Sequence, residues 1–176
     1  MNLPNKLSLI RVVCIPVVVA LLYFQESWCQ IAAVAVFCLA CLTDYFDGRI
    51  ARKQNLITDF GKFIDPLADK LLVLSVLIML VHLRLIMAWV VIVILARELA
   101  VDGLRMVAVT KGAVIPAAWS GKVKTFSQMI LILYLMIFRI PVTDSWIGIA
   151  MTAWTVGITL FSGYQYFSLH GRTLRS

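Results

Sequence analysis

Two segments of this chain decide its architecture: residues 44–52 read DYFDGRIAR, and residues 61–69 read GKFIDPLAD. The first follows Ser27–Thr43, which carries no charge over 17 residues, and the second precedes Leu71–Leu83, which carries none over 13. A membrane-crossing helix needs about 20 mainly apolar residues. The run at Leu71–Leu83 is therefore long enough only if its helix extends back into the acidic segment. This extension places carboxylates at the end of a membrane helix.

The composition predicts a helical membrane protein. Of 176 residues, 62% are hydrophobic and 14% are charged, and the mean hydropathy is +0.95. Soluble domains are about half apolar and a quarter charged, so soluble, disordered, disulfide-framework and coiled-coil classes are excluded. The net charge of +7 suits an anionic lipid surface, and no basic, aromatic-interleaved tail indicates nucleic-acid binding. No linker or repeat divides the chain, which predicts one membrane domain over residues 1–176.

The apolar runs predict an all-α fold with six transmembrane helices. Three runs become full spans only by extension into charged sequence, at residues 65–70, 97–105 and 122–124. The expected helices cover approximately residues 7–24, 28–52, 58–83, 85–107, 120–139 and 145–169.

The distribution of positive charge predicts the orientation. Twelve Lys and Arg fall in the termini and the second and fourth connections, and two fall in the other connections. Because cytoplasmic loops are enriched in Lys and Arg, both termini are expected in the cytoplasm. The three extended runs then have their charges at the cytoplasmic end. Ionisable residues at membrane depth normally face a polar interior, so we expect a metal-containing polar cavity, open to the cytoplasm and walled by helices 2 to 5.

The acidic residues form two helical stripes. At 100° per residue, Asp44, Asp47, Gly48 and Ala51 share one face of helix 2. Gly61, Asp65 and Asp69 share a face of helix 3 if that helix starts near residues 58–59 and bends at Pro66; the alternative is that Asp65 caps the helix and Pro66 begins it.

Four facing carboxylates would repel one another without a counter-charge. All-oxygen ligands suit Mg²⁺ or Mn²⁺. The small Gly48 and Ala51 leave space for a bulky ligand beside the metal, and Arg52 at the rim can meet a phosphate. The plain alternative is that these aspartates form ordinary ion pairs at helix ends.

A second group of charges, on helices 4 and 5, favours an anionic ligand. Its members are Arg97, Arg105, Lys122 and Lys124, and Arg is suited to bidentate phosphate binding. Three structural alternatives stay open: Glu98 and Asp102 could neutralise Arg105 locally, Arg97 and Glu98 could form a structural pair, and Lys124 could extend outward to lipid headgroups.

The aspartate pattern resembles the signature of the CDP-alcohol phosphatidyltransferases, D-x2-D-G-x2-A-R-x8-G-x3-D-x3-D, at all eight fixed positions. The resemblance implies that Asp44, Asp47, Asp65 and Asp69 are metal ligands, with Asp69 also the general base. It implies that Asp44, Asp47, Gly48, Ala51, Arg52 and Gly61 bind CDP-diacylglycerol. It also implies a homodimer of six-helix chains.

Three further segments resemble bacterial phosphatidylglycerophosphate synthases: residues 2–11, Arg97–Leu99 and Gly121–Thr125. The implied activity is transfer of the phosphatidyl group from CDP-diacylglycerol to sn-glycerol 3-phosphate at a bacterial inner membrane, releasing CMP. The cationic group would bind the acceptor phosphate. The alternatives are another acceptor (serine, inositol phosphate or phosphatidylglycerol) or, in a different class, a divalent-cation transporter.

Overall fold

The computed structural model describes residues 3–24, 26–54, 59–110 and 118–170, with side chains over residues 10–24, 26–43, 68, 70–110 and 118–169. Within these ranges the chain is all-helical and contains no strand. A 3-10 turn at Val142–Asp144 precedes the last of six α-helices, which are α1 Leu3–Tyr23, α2 Ser27–Gln54, α3 Asp59–His82, α4 Ala88–Thr110, α5 Trp119–Phe138 and α6 Trp146–His170. The predicted all-α class and the number of helices are confirmed.

The helix α3 begins at Asp59 and continues through Pro66. This agrees with the expectation that the helix extends back from the apolar run, and it excludes Asp65 as an N-cap. Asp65 and Asp69 are therefore both helical residues of α3. Likewise, α2 continues past the apolar run to Gln54, which makes Asp44 and Asp47 helical.

Two helices begin at positions clearly different from those predicted. The helix α1 begins earlier, at Leu3, and α4 begins three residues later, at Ala88 instead of residue 85. The preceding residues form a turn in which Arg84 has a positive φ of 58°. Leu85 and Ile86 are buried there, and the Leu85 carbonyl accepts a 2.9 Å hydrogen bond from the Val142 N–H. These two apolar residues are buried in a turn and are not part of a helix. The sequence pattern could not distinguish a buried apolar turn from the first residues of a helix.

The helices form two compact units, Met1–His82 and Leu83–Ser176. In the first unit α1 packs against both α2 and α3. Over residues 27–43, where the structure describes the side chains of α2, the buried residues repeat at helical spacing and are mostly small: Cys29, Ala33 and Ala40, together with the larger Phe37. Small residues let helix backbones approach closely, as is typical of membrane helix pairs.

In the second unit α6 packs against α4, against α5 and against the 3-10 turn. The buried face of α6 is polar, although the helix carries no Asp, Glu, Lys or Arg. Hydroxyl-bearing residues recur on it every three or four positions: Thr152, Thr155, Thr159, Ser162 and Tyr166. The facing side of α5 buries Ser120, Lys124 and Gln128. This unit is therefore held together at one end by polar contacts between helices.

Two helical segments, Trp119–Phe138 and Trp146–Leu169, are long and apolar enough to cross a membrane. Shorter apolar segments are found at Ile10–Tyr23, Ser27–Thr43 and Lys70–His82. Many large apolar side chains point outward, Trp119 and Trp146 among them, as expected where lipid replaces water as solvent. Six membrane crossings, the single domain and the cavity walled by α2 to α5 stay predictions.

Candidate functional site

The aspartate signature lies on two helices. Asp44 and Asp47 are in the last part of α2, and Asp65 and Asp69 are in the first half of α3. Spacings of three and four residues place each pair on one face of its helix. The side chains of the signature lie outside the described residues, namely those of Asp44, Asp47, Gly48, Ala51, Arg52, Gly61, Asp65 and Asp69. Their convergence and their proposed roles stay predictions.

Three of the four predicted acceptor-site cations are brought together in the second unit, around Glu98 and Tyr166. Lys124 on α5 forms an ion pair with Glu98 on α4. The Nη1 atom of Arg97 lies 3.5 Å from the same carboxylate oxygen. The Lys124 side chain is only 4% exposed, so the alternative in which it extends outward to lipid headgroups is wrong. Lys124 is buried because it lies on the inward face of α5. Ser120 and Gln128, one turn away on either side, are also buried.

Tyr166 on α6 joins Arg97 to Arg105. Its ring centroid is 5.6 Å from the guanidinium carbon of Arg97 and 5.2 Å from that of Arg105. Its hydroxyl accepts a 2.6 Å hydrogen bond from Arg105 Nη2 and a 2.8 Å hydrogen bond from the backbone N–H of Ala118. A single side chain therefore contacts both arginines of α4 and the residue that precedes α5.

The Ser162 hydroxyl of α6 binds Arg97, and the Ser120 hydroxyl of α5 lies next to that of Ser162. Arg97 Nη2 donates a 2.6 Å hydrogen bond to the Ser162 hydroxyl. The Ser120 hydroxyl lies 3.3 Å from that of Ser162 and donates to Gln165 Oε1 over 2.5 Å. Together with Glu98, Arg105, Lys124 and Tyr166, these residues form what we call the α4–α6 polar cluster.

The α4–α6 polar cluster has an excess of positive charge. It contains Arg97, Arg105 and Lys124 against Glu98, and the cations remain in excess when Asp102, one turn along α4, is included. In addition, the buried Nε atoms of Arg97 and Arg105 have no hydrogen-bond partner within the described part of the chain. A buried N–H donor without a partner costs about 1–3 kcal/mol. A phosphate is a group that accepts hydrogen bonds from guanidinium donors and offsets excess positive charge.

Lys122 is not part of this cluster. Its side chain is exposed, whereas that of Lys124 is buried. Two residues along a helix correspond to a rotation of about 200°, so the two lysines lie on opposite faces of α5. The sequence pattern grouped them by proximity in the chain, and the structure separates them.

Four contributors to the cluster were missed by the sequence analysis: Ser120, Ser162, Gln165 and Tyr166. A signal for the α6 residues was present. In an apolar helix, hydroxyl groups at positions 152, 155, 159, 162 and 166 follow the three- and four-residue spacing of one helical face. A polar face in a membrane helix indicates contact with other helices instead of lipid.

Among the side chains that the structure describes, no three His, Cys, Asp or Glu lie together as metal ligands. The predicted metal ligands are outside this set. The α4–α6 polar cluster is a candidate anion site because of its excess positive charge, and the candidate metal site depends on the aspartate positions along α2 and α3.

Comparison with known proteins gives concordant matches. The sequence profile of the CDP-alcohol phosphatidyltransferase family matches residues 1–160. A CDP-diacylglycerol–glycerol-3-phosphate 3-phosphatidyltransferase of Bacillus subtilis is 40% identical, over 99% of this chain and 98% of the relative. The enzyme of the same name from Escherichia coli K12 is 38% identical, over 95% and 93%. A probable phosphatidylglycerophosphate synthase of Mycobacterium tuberculosis is 40% identical, over 94% and 79%.

Proposed function

The chain belongs to the CDP-alcohol phosphatidyltransferase family, and from this premise we propose that it transfers the phosphatidyl group of CDP-diacylglycerol to sn-glycerol 3-phosphate. The products are phosphatidylglycerol phosphate and CMP. The observation that carries the proposal is the agreement of full-length relatives, 38–40% identical and named for this reaction. The excess of positive charge in the α4–α6 polar cluster, with Lys124 buried within it, supports the choice of a phosphate-bearing acceptor.

The donor side of the reaction is assigned to the first unit. We propose that Asp44, Asp47, Asp65 and Asp69 hold Mg²⁺ or Mn²⁺, and that Gly48, Ala51, Arg52 and Gly61 bind the cytidine diphosphate part of the lipid. An all-carboxylate donor set at i, i+3 and i, i+4 positions of two helices fits a hard divalent cation. When bound, such a cation neutralises pyrophosphate oxygens and makes CMP a better leaving group.

The acceptor side is assigned to the second unit. Arg97, Arg105 and Lys124 are proposed to bind the phosphate of glycerol 3-phosphate, with exposed Lys122 adding long-range attraction for anions. The free primary hydroxyl of the acceptor attacks the phosphorus that bears diacylglycerol. The bond from this phosphorus to the CMP oxygen breaks, and Asp69 accepts the proton from the hydroxyl. Because a carboxylate is a weak base, alignment of the hydroxyl supplies much of the rate.

The apolar helices fit a lipid substrate, whose acyl chains can stay in the bilayer during transfer. We propose a multi-pass protein of a bacterial inner membrane with both termini in the cytoplasm, where CMP is released. A homodimer is proposed from the family resemblance.

The test is an assay of CMP release by the purified protein in lipid–detergent micelles. Wild-type protein with CDP-diacylglycerol, glycerol 3-phosphate and Mg²⁺ is expected to release CMP and form phosphatidylglycerol phosphate. Serine, inositol phosphate and phosphatidylglycerol are expected to give little product. Asp69→Asn should abolish turnover, whereas Asp144→Asn, an exposed change on the 3-10 turn, should not.

Three results would contradict parts of the proposal. Turnover with serine alone would overturn the acceptor assignment, and CMP release by Asp69→Asn at the wild-type rate would overturn the assigned base. Divalent-metal uptake into sealed vesicles without nucleotide turnover would favour a transporter.

A further inference from the structure

We infer that Tyr166 is the positioning residue of the acceptor site: it holds Arg97 and Arg105 as a pair that binds one phosphate group. This inference rests on the proposed function and deepens it. It assigns a role to an uncharged residue of α6, outside the aspartate signature and outside the cationic set found from the sequence.

The contacts of Tyr166 are directed at the two arginines. Its side chain is buried, with 1% of its surface exposed. The ring lies within 6 Å of both guanidinium groups, the range of cation–π attraction. The hydroxyl accepts from Arg105 Nη2, and its second donor, the N–H of Ala118, ties it to the residue before α5. The hydrogen bond from Ala118 therefore fixes the Tyr166 hydroxyl relative to the start of α5, and this hydroxyl in turn positions Arg105.

Two guanidinium groups on one helix face repel each other, and burial strengthens this repulsion because the local dielectric constant is low. The electron-rich ring beside both charges offsets part of the repulsion. The hydrogen bond to Arg105 and that from Arg97 to Ser162 also restrict the rotamers of two long side chains. Without these constraints, each phosphate-binding event would have to order both side chains at a cost in affinity.

The Nε atoms without a partner support a phosphate-binding role for Arg97 and Arg105. Arg97 and Arg105 each use Nη2 for contacts to α6, and each keeps a buried Nε–H without a partner among the described residues. Binding of one phosphate by donors from both arginines accounts for these groups. Tyr166 does not touch the substrate in this arrangement. It acts through the arginines, so its loss should weaken acceptor binding and leave donor binding unchanged.

The experiment compares Tyr166→Phe with the matched control Tyr164→Phe, which removes the same hydroxyl from an exposed position on the same helix. For Tyr166→Phe we expect the KM for glycerol 3-phosphate to rise about tenfold, because a hydrogen bond to a charged group is lost. The kcat should change less than threefold, and the KM for CDP-diacylglycerol should not change. Tyr164→Phe should match the wild type in all three quantities.

A merely structural role of Tyr166 would give a different result. General loosening of the unit would lower kcat or the melting temperature, or raise both KM values together. Any of these without a selective rise in the KM for glycerol 3-phosphate would overturn the inference, as would an unchanged KM for that acceptor.

If Tyr166→Phe does not fold, Arg105→Lys tests whether the arginine that Tyr166 holds binds the acceptor phosphate. The substitution keeps the positive charge but replaces the planar guanidinium group by an ammonium group on a shorter side chain. A rise in the KM for glycerol 3-phosphate of about tenfold is again expected, and a wild-type KM would overturn the inference. Failure of the proposed function is distinguishable, because wild-type protein would then show no turnover that depends on glycerol 3-phosphate.

Discussion

The backbone of Gly163 lies against the stem of Arg97. A β-carbon at position 163 would be 3.2 Å from Arg97 Cγ, closer than an ordinary van der Waals contact. This glycine therefore gives Arg97 the space to pass along α6 and to reach Ser162 with its terminal nitrogen. The contact links a small residue of α6 to the position of a proposed phosphate ligand on α4.

Gly163→Ala is expected to impair acceptor binding. The added methyl group pushes the Arg97 stem by a few tenths of an ångström, which misplaces its guanidinium. We expect the KM for glycerol 3-phosphate to rise about three- to tenfold with the KM for CDP-diacylglycerol unchanged, measured by CMP release. Gly157→Ala is the matched control, because its β-carbon would meet no atom within 4 Å. Equal KM values for the two variants would contradict the role given to Gly163.

Gly148→Ala is expected to lower stability. A β-carbon there would be 3.0 Å from Val142 Cα and 3.2 Å from Val142 O. These are backbone atoms of the 3-10 turn, which cannot rotate away as a side chain can. Overpacking of this kind costs about 1–3 kcal/mol. Thermal unfolding in detergent, followed by circular dichroism, should show a lower melting temperature than that of the wild type. Gly157→Ala should show no decrease, since alanine is the better helix former.

Glu98→Gln is expected to destabilise the second unit. The change removes the carboxylate that Lys124 and Arg97 share, and both cations lie at nearly buried positions. Removing one partner of a buried ion pair costs about 3–5 kcal/mol, and the lower end applies because the Glu98 side chain is 15% exposed. The double variant Glu98→Gln/Lys124→Gln should recover part of the loss in thermal unfolding. Glu26→Gln, at an exposed site, is the control. Equal melting temperatures for Glu98→Gln and the wild type would contradict the pair.

The two neighbouring lysines of α5 are expected to differ. Lys124→Gln should raise the KM for glycerol 3-phosphate more than tenfold, because it removes a buried charge of the α4–α6 polar cluster. Lys122→Gln should raise it less than threefold, since attraction from an exposed charge is weak and is screened by salt. Because Lys122→Gln and Lys124→Gln are the same substitution two residues apart, each variant is the control for the other. Equal effects would show that the acceptor phosphate binds elsewhere.

Removal of divalent metal is expected to stop the reaction. Dialysis against a chelator should abolish CMP release, and Mg²⁺ or Mn²⁺ should restore it, because an all-carboxylate site prefers hard cations. Circular dichroism before and after dialysis checks that the helices persist. Undiminished turnover in the metal-free protein would contradict the role assigned to the four aspartates.

Local sequence patterns predicted the helices well. The apolar runs located all six, and the need for a full span at Leu71–Leu83 correctly extended α3 back to Asp59. The three-residue displacement of α4 arose at a buried turn, where Leu85 and Ile86 are apolar for a tertiary reason. An apolar residue of this chain can face outward, lie between helices or lie in a buried turn, so apolarity alone does not locate the start of a helix.

The helical class, the helix register and the positions of the aspartates along α2 and α3 follow from local sequence patterns, because they depend on residues three or four positions apart. The grouping of the cations, in contrast, depends on contacts between residues far apart in the chain. Arg97 meets Ser162 across 65 residues, and Arg105 meets Tyr166 across 61. Such contacts depend on how helix faces pack, which no local periodicity specifies. For the same reason the structure buried Lys124 and left Lys122 exposed.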